Sequence, residues 1–411
     1  MTARRFPPPL STAKNGAILV INSGSSSVKF ALFGAAESSP RIWSGAIERI
    51  GLAQSRFHAV DCEGATVLDN VEDIPDHDTA LALLLGAIDS QLSGRKLSAV
   101  GHRVVHGGRE CDCPLVVTEA VEARLQRLVP LAPLHQPHNL AGIAAVRSAR
   151  PGLLQIACFD TAFHRGMPRL AKLTALPREL YDKGIRRYGF HGLSYEYIVD
   201  VLRRDGLDID RERLIVAHLG NGASMCAIKG GISVETTMGF SALAGLPMGT
   251  RCGDLDPGVV LFLLAEEGMT AERVRHLLYE ESGLLGVSGV SRNMRDLLAM
   301  PAEPAAVEAI EVFCYQARRH LAALTAALGG LHRLVFTGGI GANAPEIREK
   351  ICMGLNFLGI AIDAERNRRS DRLISGDTGG VIVEAIPTDE ELMIARHVRQ
   401  VLEPRSMAQE G

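Results

Sequence analysis

The sequence predicts an α/β protein built as two related lobes, each a mixed sheet covered by helices, with a cleft between them. Three observations carry that expectation. Residues 18–33, I-L-V-I-N-S-G-S-S-S-V-K-F-A-L-F, set two apolar runs around a small polar stretch from Ser23 to Ser27, the pattern of strand, tight turn, strand. Residues 214–228, L-I-V-A-H-L-G-N-G-A-S-M-C-A-I, repeat the design in the second half of the chain, as a duplicated domain would. At 411 residues the chain is too long for one ordinary core, so two domains are the default.

Taken in order, residues 1–16 read as a disordered, Pro-rich leader without an apolar signal segment. After the opening hairpin, 41–50 and 57–68 read as further antiparallel strands, 79–92 as an apolar helix, and 97–105 as a buried strand running into an H-G-G turn. A helix over 118–129 leads into the proline-marked loop L-A-P-L-H-Q-P-H-N, a helix over 139–150, and a strand over 154–159 that ends in Asp160. Strands first, then alternating helix and strand, make a mixed sheet whose ligand site is expected off the carboxyl ends of the strands. The second half repeats the plan: a strand over 231–236, helices over 257–266, 270–281 and 305–328, a strand over 331–337, a glycine-rich turn opening a helix near Pro345, a strand over 380–386 and a closing helix over 390–401. The expected lobes are 17–161 with 388–402, and 162–387, leaving a frayed tail at 403–411.

Composition narrows the function classes. A formal net charge of −3 gives no electrostatic reason to expect nucleic acid or an anionic membrane as partner, so an anionic ligand must be met by local arginines. No apolar run approaches membrane-spanning length. The 8 cysteines carry no C-x-x-C pair and no zinc spacing, which fits a reducing, cytoplasmic setting.

The candidate chemistry sits at the turns. Gly24 opens backbone angles closed to other residues, and short serines let a ligand approach main-chain N–H groups, so the first hairpin reads as an oxyanion cradle; a solvated surface turn is the plain alternative. Gly338, Gly339 and Gly341, after a strand and before a helix opened by Pro345, form a nucleotide approach, although no G-x-x-x-x-G-K-[ST] string is present. Arg103 in G-H-R-V-V-H-G-G and Arg251 in M-G-T-R-C-G-D are framed by glycines, which suits a planar fork for phosphate or carboxylate; a structural ion pair, to Asp254 for instance, is the alternative. His135, His191 and His218 lie near turns, where His191 has little helical or strand role and would serve as donor to a transferring group; most isolated histidines are structural. Asp160 and Glu390 form a carboxylate pair that could hold Mg²⁺ through water, since Mg²⁺ prefers few protein oxygens, while P-T-D-E-E is also an ordinary helix start capped by Thr388 or Asp389.

Seven ordered strings, N-S-G-S-S-S-V-K-F, G-H-R-V-V-H-G-G, F-D-T-A-F-H, R-R-Y-G-F-H-G, H-L-G-N-G-A-S, M-G-T-R-C-G-D-L-D-P-G and F-T-G-G-I-G-A-N, together resemble the acetate kinase family over about residues 17–402. The resemblance implies the duplicated actin-like (ribonuclease H-like) ATPase fold shared with sugar kinases and Hsp70, use of ATP with Mg²⁺ (Mn²⁺ as a substitute), and a homodimer. It implies Asn22, Ser25, Ser27 and Lys29 at the first phosphate loop, with Asn22 and Glu390 on the metal side. It places His218, Asn221 and Gly222 at the second loop and Gly339, Gly341 and Asn343 on the adenosine side. Arg103, Asp160, His191, Arg251 and His135 would be catalytic, and Val105, Leu134 and Phe190 would line a small pocket for the acyl group. The chain departs from the family pattern at Gln136 and His138, at Tyr195 where a histidine is common, and at Ala242 where a proline commonly lines the acyl pocket.

The implied reaction is in-line transfer of the ATP γ-phosphoryl to a short-chain carboxylate, giving an acyl phosphate without a general base. Propionate or butyrate are the alternative acceptors. A nucleotide-gated module like actin or the Hsp70 ATPase domain needs no paired arginines at an acceptor site, and a sugar kinase needs an aspartate base, a part open to Asp160.

Overall fold

The computed structural model describes residues 16–36, 40–92 and 95–403, so the expected leader, apart from Gly16, and the tail after Glu403 lie outside the described residues. The chain falls into two compact units, one running to Ala162 and resuming at Asp389, the other Phe163–Thr388.

In the first unit, β1 (Gly16–Ser23), β2 (Ser27–Gly34), β3 (Arg41–Glu48), β4 (Ser55–Asp61) and β5 (Thr66–Glu72) form an antiparallel run, and β6 (Lys96–Val104), β7 (Leu115–Val116) and β8 (Leu154–Phe159) extend it in the order β5-β4-β3-β2-β1-β6-β8-β7. β6 lies parallel to β1, and β8 parallel to β6. The second unit holds β9 (Arg213–Leu219), β10 (Ala223–Lys229), β11 (Ile232–Thr236), β12 (Arg333–Thr337) and β13 (Ile382–Ala385) in the order β11-β10-β9-β12-β13, with β12 parallel to both β9 and β13. The stretch β3-β2-β1-β6-β8 therefore has the same plan as β11-β10-β9-β12-β13, and the duplication expected from two similar hairpins extends through five strands.

Helices cover these sheets because their apolar residues recur at helical spacing. Asp76 caps His77–Gln91 by accepting from the Thr79 N–H, and this helix buries Ala80, Leu81, Leu84, Leu85 and Ile88 in a cluster with Leu19, Phe30 and Trp43. The closing helix Glu390–Leu402 packs on β1 and β6. Gly101 makes that approach fit, since a Cβ there would lie 2.5 Å from Ile394 Cγ2. In the second unit Tyr195, Ile198 and Leu202 of helix Gly192–Arg204 pack with Leu214, Val216 and Cys226.

Four expectations change. The single strand read over 57–68 is a hairpin, because the Asp61 carboxylate accepts from the Glu63 and Ala65 N–H groups and Gly64 takes a φ of 84°. Helix Gln136–Ala149 begins three residues before Asn139, since Pro137 falls in the first turn where a missing N–H costs nothing. The glycine-rich turn after β12 is itself a short helix, Gly338–Asn343, with only Gly338 in the left-handed region. His191 does have a helical role: it is the N-cap of Gly192–Arg204, at φ 57°.

Candidate active site

In the first unit the hairpin turn between β1 and β2 is closed by the Gly24 N–H donating to Ser27 O at 2.8 Å. Ser25 is exposed and Ser27 half-buried, so both hydroxyls are open to a ligand. His77 Nε2 donates to Gly24 O at 2.8 Å, and its ring stacks on His138, whose pKa burial and the neighbouring His77 charge lower. Asn139 carries the other side: its Oδ1 accepts from the Val105 N–H and its Nδ2 donates to Ser23 O, both at 3.0 Å, joining the ends of β6 and β1. Gly142 leaves room for Ser23 Oγ, which would lie 2.7 Å from a Cβ there. Asn22 and Lys29 are directly opposite in the ladder and so share a face of the sheet. Lys29 is exposed and lines a hollow of about 370 Å³ with Arg41, Ser44, His58 and Glu391.

At the ends of β6 and β8 three charges meet. Arg103 Nε and Nη2 donate to the two oxygens of Asp160 at 3.0 and 2.7 Å, and its Nη1 lies 3.5 Å from Glu390. Burial opposes the guanidinium charge, but the two carboxylates outweigh it, so the pKa of Arg103 lies above its ordinary value. Asp160 is only 1% exposed, and its N–H donates to Val104 O. Asp389, not Thr388, caps the closing helix through the Leu392 N–H and pairs with Arg41, which leaves Glu390 in the first turn beside Arg103. Two carboxylates against one guanidinium leave excess negative charge on hard oxygens, a donor set that fits Mg²⁺, which takes few protein carboxylates and keeps water and phosphate ligands. Among the described residues no cluster of three or more acidic, histidine or cysteine side chains forms a complete metal cage. His135 and Leu134 are half-buried just before helix Gln136–Ala149, and Val105 is buried after β6. Gln136 is fully buried, accepting from His106 N and donating to His106 O, so this departure from the family string braces the H-G-G turn.

In the second unit His191 and His218 stack with ring centroids 4.3 Å apart. His191 Nδ1 meets Ser224 Oγ and His218 Nδ1 meets Ser194 Oγ, each at 2.8 Å. A Cβ on Gly222 would lie 3.1 Å from His191 Nε2, so the second hairpin turn approaches the ring closely. Asn221 is gripped as well: its carbonyl accepts from the Gly249 N–H, and a Cβ at Gly249 would collide with its Oδ1 at 2.2 Å. Arg251 is half-buried and does not pair with Asp254; its Nη1 donates to Ala242 O at 3.0 Å, while Asp254 binds His320 and the Gly245 N–H. Phe190 is buried, with its carbonyl held by His164 Nε2 at 2.9 Å.

A cavity of about 380 Å³ opens beside the glycine helix, lined by Asn221, Arg292, Gly339, Ile340, Asn343 and Glu346 among others. Asn343 Nδ2 donates to Gly339 O. Gly341 lines no part of that wall; it is buried against β9, where a Cβ would lie 3.3 Å from Ala217 O. Two arginines here are not among the expected site residues: Arg292, which lines the cavity, and the fully buried Arg348, which donates to Gly341 O and Ala342 O. The Ser291–Asn293 turn, S-R-N, was a local signal for Arg292; nothing local marks Arg348, because helical spacing alone does not show what a guanidinium will meet. His164 and Ser224 close the strings F-D-T-A-F-H and H-L-G-N-G-A-S, which by themselves mark neither as a site residue.

The chain matches the Acetokinase family over residues 17–396. Acetate kinase from Rhodopseudomonas palustris (strain TIE-1) is 52% identical over 389 residues, covering 93% of this chain and 97% of that protein. Acetate kinase from Methylocella silvestris is 46% identical, covering 95% and 99%. Among solved structures, Porphyromonas gingivalis acetate kinase superposes with a TM-score of 0.85 at 39% identity, covering 94% of this chain and all of that one. A propionate kinase from Francisella tularensis gives a TM-score of 0.87 at 34% identity, covering 93% and 98%.

Proposed function

Because the chain belongs to the acetokinase family, with its duplicated actin-like fold, we propose that it phosphorylates a short-chain carboxylate, acetate foremost, with ATP. A carboxylate oxygen attacks the γ-phosphorus, the bond to the β-phosphate oxygen breaks, and the electron pair leaves with ADP. No proton has to move, because the acceptor is already ionised at neutral pH.

The observation that carries the acceptor class is the state of Asp160. Both its oxygens are held by Arg103 and it is buried, which suits a fixed counter-charge and not the base a hydroxyl acceptor needs. Catalysis is then positioning and charge neutralisation. Arg103 orients the acceptor, Arg251 and His191 meet the charge of the planar phosphoryl, and His135 donates nearby. The serine turn with Lys29, and the turn bearing His218, Asn221 and Gly222, hold phosphate oxygens. The cavity beside Gly339 and Asn343 takes the nucleoside. Asn22, Asp160 and Glu390 would hold Mg²⁺, which when bound would supply positive charge against the ATP phosphates. The discriminating experiment is a hydroxamate assay with acetate, propionate, butyrate, glycerol and glucose: acyl phosphate from the carboxylates supports the reading, and ADP release with the polyols alone overturns it.

A propionate preference is the second reading, favoured by Ala242, which leaves more room than a proline. We assign the assembly as a homodimer through helix Pro257–Ala265, an apolar helix with no buried residue, on which Leu261 is 66% and Phe262 53% exposed. None of the 8 cysteines is in a disulfide, which supports a cytoplasmic site of action, and among the described residues no helix is long and apolar enough to cross a membrane.

A further inference from the structure

His191 stands in an unusual backbone conformation for a non-glycine residue, and the first turn of its own helix is linked to its ring through a serine of the sheet. Tyr195 lies one turn on, donates its N–H to His191 O at 3.2 Å, and places its hydroxyl in hydrogen-bond contact with Ser224 Oγ. Ser224, on β10, meets His191 Nδ1 at 2.8 Å. Both hydroxyl-bearing residues are fully buried. Two hydroxyls and one imidazole nitrogen thus form a closed line from the helix, through the sheet, back to the helix cap. The opposite ring nitrogen, Nε2, faces the Gly222 backbone of the second hairpin turn.

We propose that Tyr195 and Ser224 are positioning residues that hold His191 as the Nε2–H tautomer, so that Nε2 presents a hydrogen-bond donor at the Asn221–Gly222 turn. The inference rests on the reading of His191 as donor to the transferring phosphoryl. A phenol is a stronger acid than an aliphatic alcohol, so Tyr195 donates to Ser224, and the serine proton then points at the better acceptor, the imidazole lone pair on Nδ1. Had the line run the other way, Nδ1 would carry the proton and Nε2 would turn a lone pair toward phosphate oxygens, which repels. The second-nitrogen partner sets which nitrogen is protonated.

The ring of Tyr195 also packs edge-on against His164, with centroids 5.7 Å apart, so Tyr195→Phe keeps the packing and removes only the hydroxyl. Tyr195→Phe and Ser224→Ala are each expected to lower kcat roughly 10- to 100-fold, with KM for ATP and acetate changed by less than about twofold, as misorientation of one transition-state donor predicts. The ¹⁵N shifts of the His191 ring, assigned by difference from His191→Asn, are expected to move from the pure Nε2–H pattern to a tautomer mixture in both variants. Unchanged kcat and an unchanged His191 tautomer in both variants would overturn the proposal. Should Tyr195→Phe fail to fold, Ser224→Ala carries both readouts alone. His191→Asn separates the layers: wild-type kcat in that variant sinks the role of His191 itself, whereas a large loss there with no effect from either hydroxyl sinks only the relay.

Discussion

Arg251 donates one N–H to the Ala242 carbonyl, so the backbone of a candidate acyl-pocket residue helps to hold the guanidinium. Arg251→Ala is expected to lower kcat on the order of 100-fold or more, the usual cost of removing a donor that meets transition-state charge; steady-state kinetics with saturating ATP and acetate give the answer, and a near-wild-type kcat refutes the assignment. Ala242→Pro should move the kcat/KM ratio toward acetate over propionate by about tenfold, since one methylene in an apolar pocket is worth about 1–3 kcal/mol. An unchanged ratio removes Ala242 from the pocket. At this scale much of the site was legible. Arg103, Asp160 and Glu390 were named from strings far apart in the chain, and the structure brings them within ion-pair distance. What the strings concealed was the pairing itself: a fork framed by glycines reads alike whether it awaits a substrate carboxylate or grips a buried one.

The elements were easier to foresee than their joints. β1, β6, β8 and the helices around 77–91 and 304–328 follow their apolar spacing closely, because a face that must be buried dictates its own periodicity. The joints depend on single residues. Gly338 holds a φ of 76°, and a Cβ there would lie 2.6 Å from Leu219 O, so it lets the chain turn from β12 straight into the nucleotide-side helix. Gly338→Ala is expected to destabilise the protein by about 1–3 kcal/mol and to raise the KM for ATP. Thermal melts with and without ATP test this, and an unshifted melting temperature overturns it. At Gly339, the next residue, a Cβ would meet nothing within 4 Å, so alanine there should cost little stability.

At the scale of the whole molecule, three buried histidines make stability depend on acid. Burial lowers the pKa of His102, His106 and His164 to about 4 each, from an ordinary 6.5. Above pH 6.5 neither the folded nor the unfolded chain binds these protons. As pH falls below that value the unfolded state takes them up first, so stability drops through the window down to about pH 4, by on the order of a few kcal/mol per histidine. A melting temperature that stays constant from about pH 7 to about pH 4.5 would contradict this. The exposed apolar helix sets the other expectation at this scale: Phe262→Asp should convert a dimer to a monomer, read as mass by light scattering, and an unchanged mass would place the interface elsewhere. By itself the sequence determined the two hairpins, the order of most elements and the family, and it marked which polar residues are candidates for the site, because spacing, glycine turns and charged strings are local. Only the tertiary structure decided that Arg103 is clasped by Asp160, that a glycine turn is a helix, and that His191 caps a helix whose tyrosine bonds the same Ser224 hydroxyl as its ring, because each depends on which side chains long-range packing brings to one place.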